Sequence, residues 1–216
     1  MDATATVVSV HDVGSDTVAI EFETPADFAA MPGQFVKLAG EVDGEEYARF
    51  YTLSSPDVED TFEVTVGVSE EGGPFSHYLA ALEPGDTLEM QGPFGSDHYE
   101  GESRVVVLAG GPGVGPAVGI GERALADGND VAVVYLDDDP AHETRLEELA
   151  AVGATVIMDD ADADLVVHLR DALLGNEAES GDEQVFVYGF ADFVDRATEA
   201  LDELGYDGEP KVENFG

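Results

Sequence analysis

The sequence predicts two units in series: an antiparallel β unit, closed barrel or sandwich, and then a parallel α/β sheet. Three observations carry this. Up to residue 98, short runs rich in β-branched and aromatic residues alternate with turn signals. From residue 104, continuous apolar runs alternate with helical stretches, as in a parallel sheet buried on both faces. Between them lies a polar stretch, Ser96–Ser103, which places the boundary at residues 98 and 99.

In chain order, strands are expected at Thr6–Val10, Thr17–Glu23, Gln34–Leu38, Tyr47–Thr52, Thr61–Val68 and Thr87–Gln91. Gly and Pro breaks fall at Val13-Gly14-Ser15, Met31-Pro32-Gly33, Asp43-Gly44 and Glu83-Pro84-Gly85. One short helix is expected at Ser76–Leu82, capped by Ser76 or its neighbours. The second unit reads as strands Arg104–Ala109, Val131–Tyr135, Thr155–Met158, Val185–Tyr188 and Lys211–Glu213. Helices are expected near Pro116–Ala126, Glu143–Ala151, Leu165–Leu173 and Ala191–Leu204.

Composition narrows the function. The 216 residues are 44% hydrophobic, which supplies a packed core and argues against disorder. With 48 acidic and 8 basic side chains the net charge is −40, spread along the whole length. Such self-repulsion weakens a compact fold at low salt. At molar salt the Debye length is about 3 Å and the repulsion is screened, so the composition implies a halophilic chain. Nucleic acid and anionic membrane surfaces demand basic patches and are not expected partners. There are no cysteines, which excludes disulfides, thiol catalysis and cysteine-ligated iron–sulfur clusters on this chain. The first residues lack a secretory pattern and no run of about 18 apolar residues occurs, so a cytoplasmic chain without membrane insertion is expected. The five histidines show no metal-ligand spacing, and no metal site is expected.

Five motifs could carry chemistry. In RVVVLAGGPGVGPAVGI (Arg104–Ile120) an apolar strand runs through a glycine turn into a helix. Glycines allow a pyrophosphate to approach closely, and the helix N-terminus supplies N–H donors. The same pattern also suits a purely structural βα turn. Arg49-Phe50-Tyr51-Thr52 sets a scarce cation beside an aromatic and a hydroxyl; an edge-strand Arg next to a core Tyr is the alternative. Gly72-Gly73-Pro74-Phe75-Ser76 opens the short helix, as an anion site or as ordinary helix initiation. The C-terminal pieces are VFVYGF (Val185–Phe190) and Glu213-Asn214-Phe215-Gly216.

Taken together, these motifs resemble the ferredoxin–NADP reductase superfamily, from about Thr4 to Gly216. The resemblance implies a Greek-key, flavin-binding β-barrel over residues 1–98 and a Rossmann-like NAD(P)-binding domain over 99–216. It implies FAD and NAD(P)H as cofactors, with Tyr51 and Thr52 at the reacting centre. Arg49 would contact the flavin pyrophosphate, Tyr51 would stack on the ring, and Thr52 would hydrogen-bond near its N5. Phe50, Val66, Gly73, Pro74, Phe75 and Ser76 would complete the flavin site. Gly111, Pro112, Gly113, Val114, Gly189 and Phe190 would meet the nicotinamide nucleotide, and Phe215 would shield the flavin. Pro112, Tyr188 and Phe190 stand where the family commonly has Thr or Ile, Cys and Pro. Pro74 lacks an N–H that the family uses. Asp137, in the Asp137-Asp138-Asp139 run after the second parallel strand, would repel a 2′-phosphate and can bond ribose hydroxyls, which favours NADH. The implied activity passes hydride from NAD(P)H to FAD and electrons to a separate protein, such as ferredoxin or an oxygenase component. The alternatives are a flavin reductase with loosely held flavin and a non-catalytic electron-transfer subunit. The short stretch between Val68 and Gly72 leaves little room for an adenine-binding loop, which keeps the flavin-reductase reading open.

Overall fold

The computed structural model describes residues 1–68, 73–174 and 183–215. Of the motifs above, Gly72, with the stretch before it, and Gly216 lie outside the described residues. Six strands form one antiparallel sheet: β1 (Asp2–Gly14), β2 (Thr17–Glu23), β3 (Phe35–Val42), β4 (Glu45–Thr52), β5 (Thr61–Gly67) and β6 (Thr87–Phe94). Their order is β4-β3-β6-β1-β2-β5. Burial alternates along them as a curled sheet requires; on β6, Leu88 and Met90 face inward while Glu89 and Gln91 face water. Ile20, Phe22, Leu38, Phe62 and Val64 fill the interior, with Phe22 and Phe62 stacked at 5.2 Å.

The expected barrel is not fully closed. Its two end strands, β4 and β5, meet only through a bridge between Leu53 and Val64. Leu53 donates its N–H to Gln34 and Ser54 donates to Glu63, so the chain leaving β4 is tied at that end. Away from the bridge the two strands diverge, and Arg49 and Phe50 are exposed. The short helix α1 (Gly73–Ala80) also departs from expectation, starting three residues early. Gly73 at φ +77° and Pro74, whose ring fixes a helical φ, start it there. Ser76 consequently lies inside the first turn rather than capping it, and its hydroxyl donates to the Gly73 carbonyl at 3.0 Å.

The second sheet is parallel, with β7 (Arg104–Gly110), β8 (Asp130–Leu136), β9 (Thr155–Asp159), β10 (Gln184–Gly189) and β11 (Lys211–Asn214) in the order β11-β10-β7-β8-β9. Helices α2 (Val114–Ala126) and α3 (Glu143–Ala151) cover one face; α4 (Leu165–Leu174) and α5 (Ala191–Leu204) cover the other. Val105 and Val107 of β7 pack under Val118, Ile120 and Leu146, whereas Val106 and Leu108 pack under Leu169 and Leu201. This double burial is why the strand reads as continuous apolar sequence. Strand order reverses at β7, so the loops after β7 and β10 part on opposite faces and leave a crevice at the strands' C-terminal ends.

The two units lock together along α2 and α3. A Cβ at Gly115 would stand 2.6 Å from Thr65 Oγ1, so only a bare backbone lets α2 approach β5 this closely. Arg145 on α3 donates to both Glu122 oxygens at 2.7 and 2.8 Å, to Glu63 Oε1 at 2.8 Å and to the Ser54 carbonyl at 2.7 Å. His142 is buried in a left-handed turn (φ 54°); its N–H donates to Val13 and its Nε2 lies 2.8 Å from Thr65 Oγ1.

Burial, then the charges of Arg145 and His11, push the His142 imidazole down to about 3. The unfolded chain thus binds a proton that the folded chain refuses between the usual histidine value of about 6.5 and 3. Stability from this site is present above 6.5 and is lost as pH falls, at up to about 1.4 kcal/mol per pH unit. His142→Gln keeps a polar side chain that cannot be protonated. It is expected to flatten the fall in melting temperature below pH 4.5, and an unchanged slope would show that other groups govern acid unfolding.

Candidate functional site

A cavity of about 440 Å³ lies where the divergent β4–β5 seam faces the crevice of the parallel sheet. Arg49, Phe50, Tyr51 and Thr52 line it from β4, and Val66 from β5. Ser76 enters from α1, Pro112 from the glycine turn, Asp137 from the end of β8, Phe190 from the end of β10 and Phe215 from beyond β11. Residues expected to act together from sequence motifs far apart therefore share one space.

Other expected residues stand behind it. The ring of Phe75 is buried in the β unit, stacked on Tyr47 and Tyr78, so only its main chain is placed to meet a ligand. Val114 is fully buried in the core beneath α2. Gly73 and Pro74 sit at the start of α1 outside the cavity lining. Gly111 adopts φ +56° between the Phe190 ring and the Asp137 carboxylate. Gly113 lies against the Tyr188 carbonyl, where any Cβ would collide with the β10 main chain. Gly189 ends β10 beside the Phe193 ring.

Arg49 makes no ion pair among the described residues; its Nη1 donates only to the neighbouring Ala48 carbonyl at 2.9 Å. Burial pushes the Tyr51 phenol up to about 12, so it stays neutral. Asp137 accepts from Tyr135 Oη at 3.2 Å and from the Asp139 N–H at 3.0 Å, which fixes its carboxylate beside the glycine turn. Phe190 and Phe215 meet edge to face at 6.2 Å.

Four lining residues lie outside the sequence motifs, Asp16, Thr17, Thr65 and Gly67, while Pro116 and Asp139 lie within motifs but were given no role. Thr17 pairs with Gly67 and Ala19 with Thr65 across the β2–β5 ladder, so knowing that pairing would have supplied the residues of these two strands. The most consequential omission is Glu213. Thr52 Oγ1 donates to its Oε1 at 2.8 Å across 161 residues of sequence. Burial, reinforced by Asp97, pushes the Glu213 carboxyl up to about 7 against the opposing Thr52 hydrogen bond.

Residues 4–99 match the family described as the oxidoreductase FAD-binding domain. The match runs from β1 through β6 and includes Arg49–Thr52 and Ser76. Over its full length the chain has the fold of a ferredoxin NADP+ reductase from Neisseria gonorrhoeae, solved with bound FAD and NADP: TM-score 0.82, 17% identity, 100% of this chain and 99% of that one. Among curated proteins it is 34% identical over 135 residues to a mouse (Mus musculus) NADH-cytochrome b5 reductase-like protein, covering 60% of this chain and 42% of that one. It is likewise 34% identical over 119 residues to a probable dihydroorotate dehydrogenase B electron transfer subunit of Methanopyrus kandleri, covering 55% and 43%. The chain thus spans less than half the length of these two curated relatives. No described helix is long and apolar enough to cross a membrane.

Proposed function

We propose that this chain is an NAD(P)H-dependent flavoprotein reductase that favours NADH and delivers electrons to a separate protein. In this reading residues 1–98 hold FAD and residues 99–216 hold the nucleotide. The observation that carries it is the meeting of Arg49–Thr52 and the glycine turn, from different units, in one cavity. The lining fits such cofactors: an uncommitted guanidinium for a pyrophosphate, a neutral phenol and two further rings for flat surfaces, and a helix N-terminus at the strand crevice. FAD bound here would accept hydride from NADH and release electrons singly or in pairs.

The protein's share is positioning and proton control. Arg49 anchors the pyrophosphate, and Tyr51 supports the ring face. Phe190 and Phe215 exclude water from the far side. Asp137 disfavours a 2′-phosphate while offering an acceptor to ribose hydroxyls. Thr52 presents a hydroxyl whose hydrogen is committed to Glu213 when that carboxyl is ionised. Once Glu213 is protonated it can donate instead, which frees the Thr52 hydrogen to point into the cavity. The acidic composition supports a further part of the reading, a requirement for high salt.

The test is anaerobic titration of the FAD-reconstituted chain with NADH and with NADPH, followed by flavin absorbance. Bleaching by NADH, with a higher kcat/KM than for NADPH, is expected. A reconstituted chain that holds flavin but takes no electrons from either nucleotide would instead favour the electron-transfer-subunit reading, which the Methanopyrus relative supports. The pH profile is a second test. Wild-type activity should bend near pH 7 as Glu213 titrates, and Glu213→Gln should remove that bend. The sign also reaches stability. A carboxyl raised from 4.5 to about 7 holds a proton in the folded chain that the unfolded chain releases, so its contribution declines as pH rises through that window.

A further inference from the structure

Two buried polar groups meet at the seam between the units without a bonding partner. Among the described residues, three buried side-chain polar atoms have no hydrogen-bond partner: Tyr188 Oη, His98 Nδ1 and Thr24 Oγ1. Tyr188 is 1% exposed. Its hydroxyl crosses from β10 to the first unit. A Cβ on Gly33 would stand 2.7 Å from Tyr188 Oη, 3.1 Å from the His98 Cα and 3.4 Å from the Asp97 carbonyl oxygen. Two of the three unbonded atoms thus belong to residues that converge over Gly33. Taking a hydroxyl and an imidazole nitrogen out of water without a partner is costly, and such places are where proteins hold internal water.

Topology brings Glu213 to the same place. Strands β10 and β11 are parallel and Tyr188 stands in register with Glu213, so both side chains leave the sheet on one face. Lys211, two residues before Glu213, shares that face. Its Nζ donates to the His98 carbonyl at 2.5 Å and to Glu100 and Glu102 at 3.0 and 2.7 Å, which holds residue 98 over the two strands. Tyr188 and Glu213 share no direct hydrogen bond, and a polar gap of this kind is bridged by water. Burial, then the charges of Glu213, Asp97 and Glu102, hold the Tyr188 phenol well above its ordinary value of 10, so it stays neutral. A neutral hydroxyl accepts one proton and gives up its own in the same movement. His98 is only partly buried, so a proton that reaches its Nδ1 is matched by one leaving the ring's other nitrogen.

We infer that Tyr188 Oη and His98 Nδ1 hold a buried water within reach of Glu213, and that these groups carry protons between Glu213 and solvent. The inference rests on the reductase reading above and gives the Thr52–Glu213 pair an exit. The resemblance noted in the sequence has Cys at position 188, so the route belongs to this chain rather than to the fold. Hydride from NADH supplies the hydrogen at flavin N5. When two electrons pass to the acceptor, the N5–H bond breaks and one proton is left over. Thr52 Oγ1 takes that proton while giving its own to ionised Glu213 along their 2.8 Å hydrogen bond. Glu213 passes it through the water and Tyr188 to His98. His98 sheds one proton to solvent, which resets all four side chains.

High-resolution crystals of the flavin-free chain test the site. Wild type should show ordered water bonded to Tyr188 Oη and His98 Nδ1, and Tyr188→Phe, whose ring keeps its stack on Phe186 at 6.4 Å, should lose it. No solvent at either atom, a direct bond between them, or water unchanged in Tyr188→Phe would overturn the site. Stopped flow on the FAD-reconstituted chain tests the proton role, with hexaammineruthenium(III) as an acceptor that takes electrons but no protons. Reoxidation of the reduced chain should slow about tenfold in Tyr188→Phe and in His98→Ala, and added imidazole should restore His98→Ala alone. Bleaching by NADH, a hydride step, should keep its wild-type rate in both variants. Unchanged reoxidation in both, or equal losses in the two half-reactions, would overturn the proton path. A chain that NADH does not bleach overturns the reductase reading alone, because dithionite still reduces the flavin for the reoxidation step.

Discussion

Replacing Arg145 with alanine is expected to lower the melting temperature by about 10 °C. Its guanidinium, 20% exposed, is the hub between Glu63 and Glu122, which are 17% and 28% exposed. Without it, two carboxylates face each other and the Ser54 carbonyl loses its donor. Breaking such a buried pair costs about 3–5 kcal/mol; partial exposure puts this site at the low end, about 3 kcal/mol. A chain of this length loses roughly 2–4 °C per kcal/mol. His11 Nε2 is 3.9 Å from Glu63 and half exposed, so it is a poor substitute. Differential scanning calorimetry of the purified variant provides the measurement. A shift under about 2 °C would mean that water carries these carboxylates as well as Arg145 does.

The second large effect concerns Arg49→Ala. FAD affinity should fall about a hundredfold, as expected when a charge-assisted bidentate contact worth about 2–3 kcal/mol is lost. The fold should be untouched, because Arg49 is exposed and bonds only its neighbour's carbonyl. Riboflavin provides the control, since it has the same ring and no phosphate. Fluorescence titration should show riboflavin binding alike to wild type and variant. An equal loss for both ligands would mean that Arg49 supports the ring rather than the phosphates.

The elements were legible because their signals are local. The expected segments Thr17–Glu23, Glu143–Ala151 and Ala191–Leu204 coincide with β2, α3 and α5. Helix α1 was displaced because the sequence pattern does not reveal that Gly73 takes a positive φ ahead of Pro74. The open seam was not legible either. Closure depends on whether β4 and β5 run alongside one another, and nothing within either strand encodes that. The site was half legible for the same reason. Arg49–Thr52 and the glycine turn announce themselves by composition. Glu213, His142 and Arg145 gain their roles from partners 161, 77 and 82 residues away. Phe75 and Val114 carried the right motif position but send their side chains into the core.

The single bridge between β4 and β5 has a consequence for the chain before any cofactor arrives. Two diverging edge strands leave backbone N–H and C=O groups without a ladder partner, and such edges recruit strands from other molecules. Glu45, Glu46 and Arg49 place charge on β4, the kind of side chain that blunts an edge against self-association. A ligand lying in the seam would cover what those charges leave bare. The cavity that would serve chemistry is therefore also where solubility is at stake, and cofactor supply during expression is expected to decide how much of the chain stays in solution.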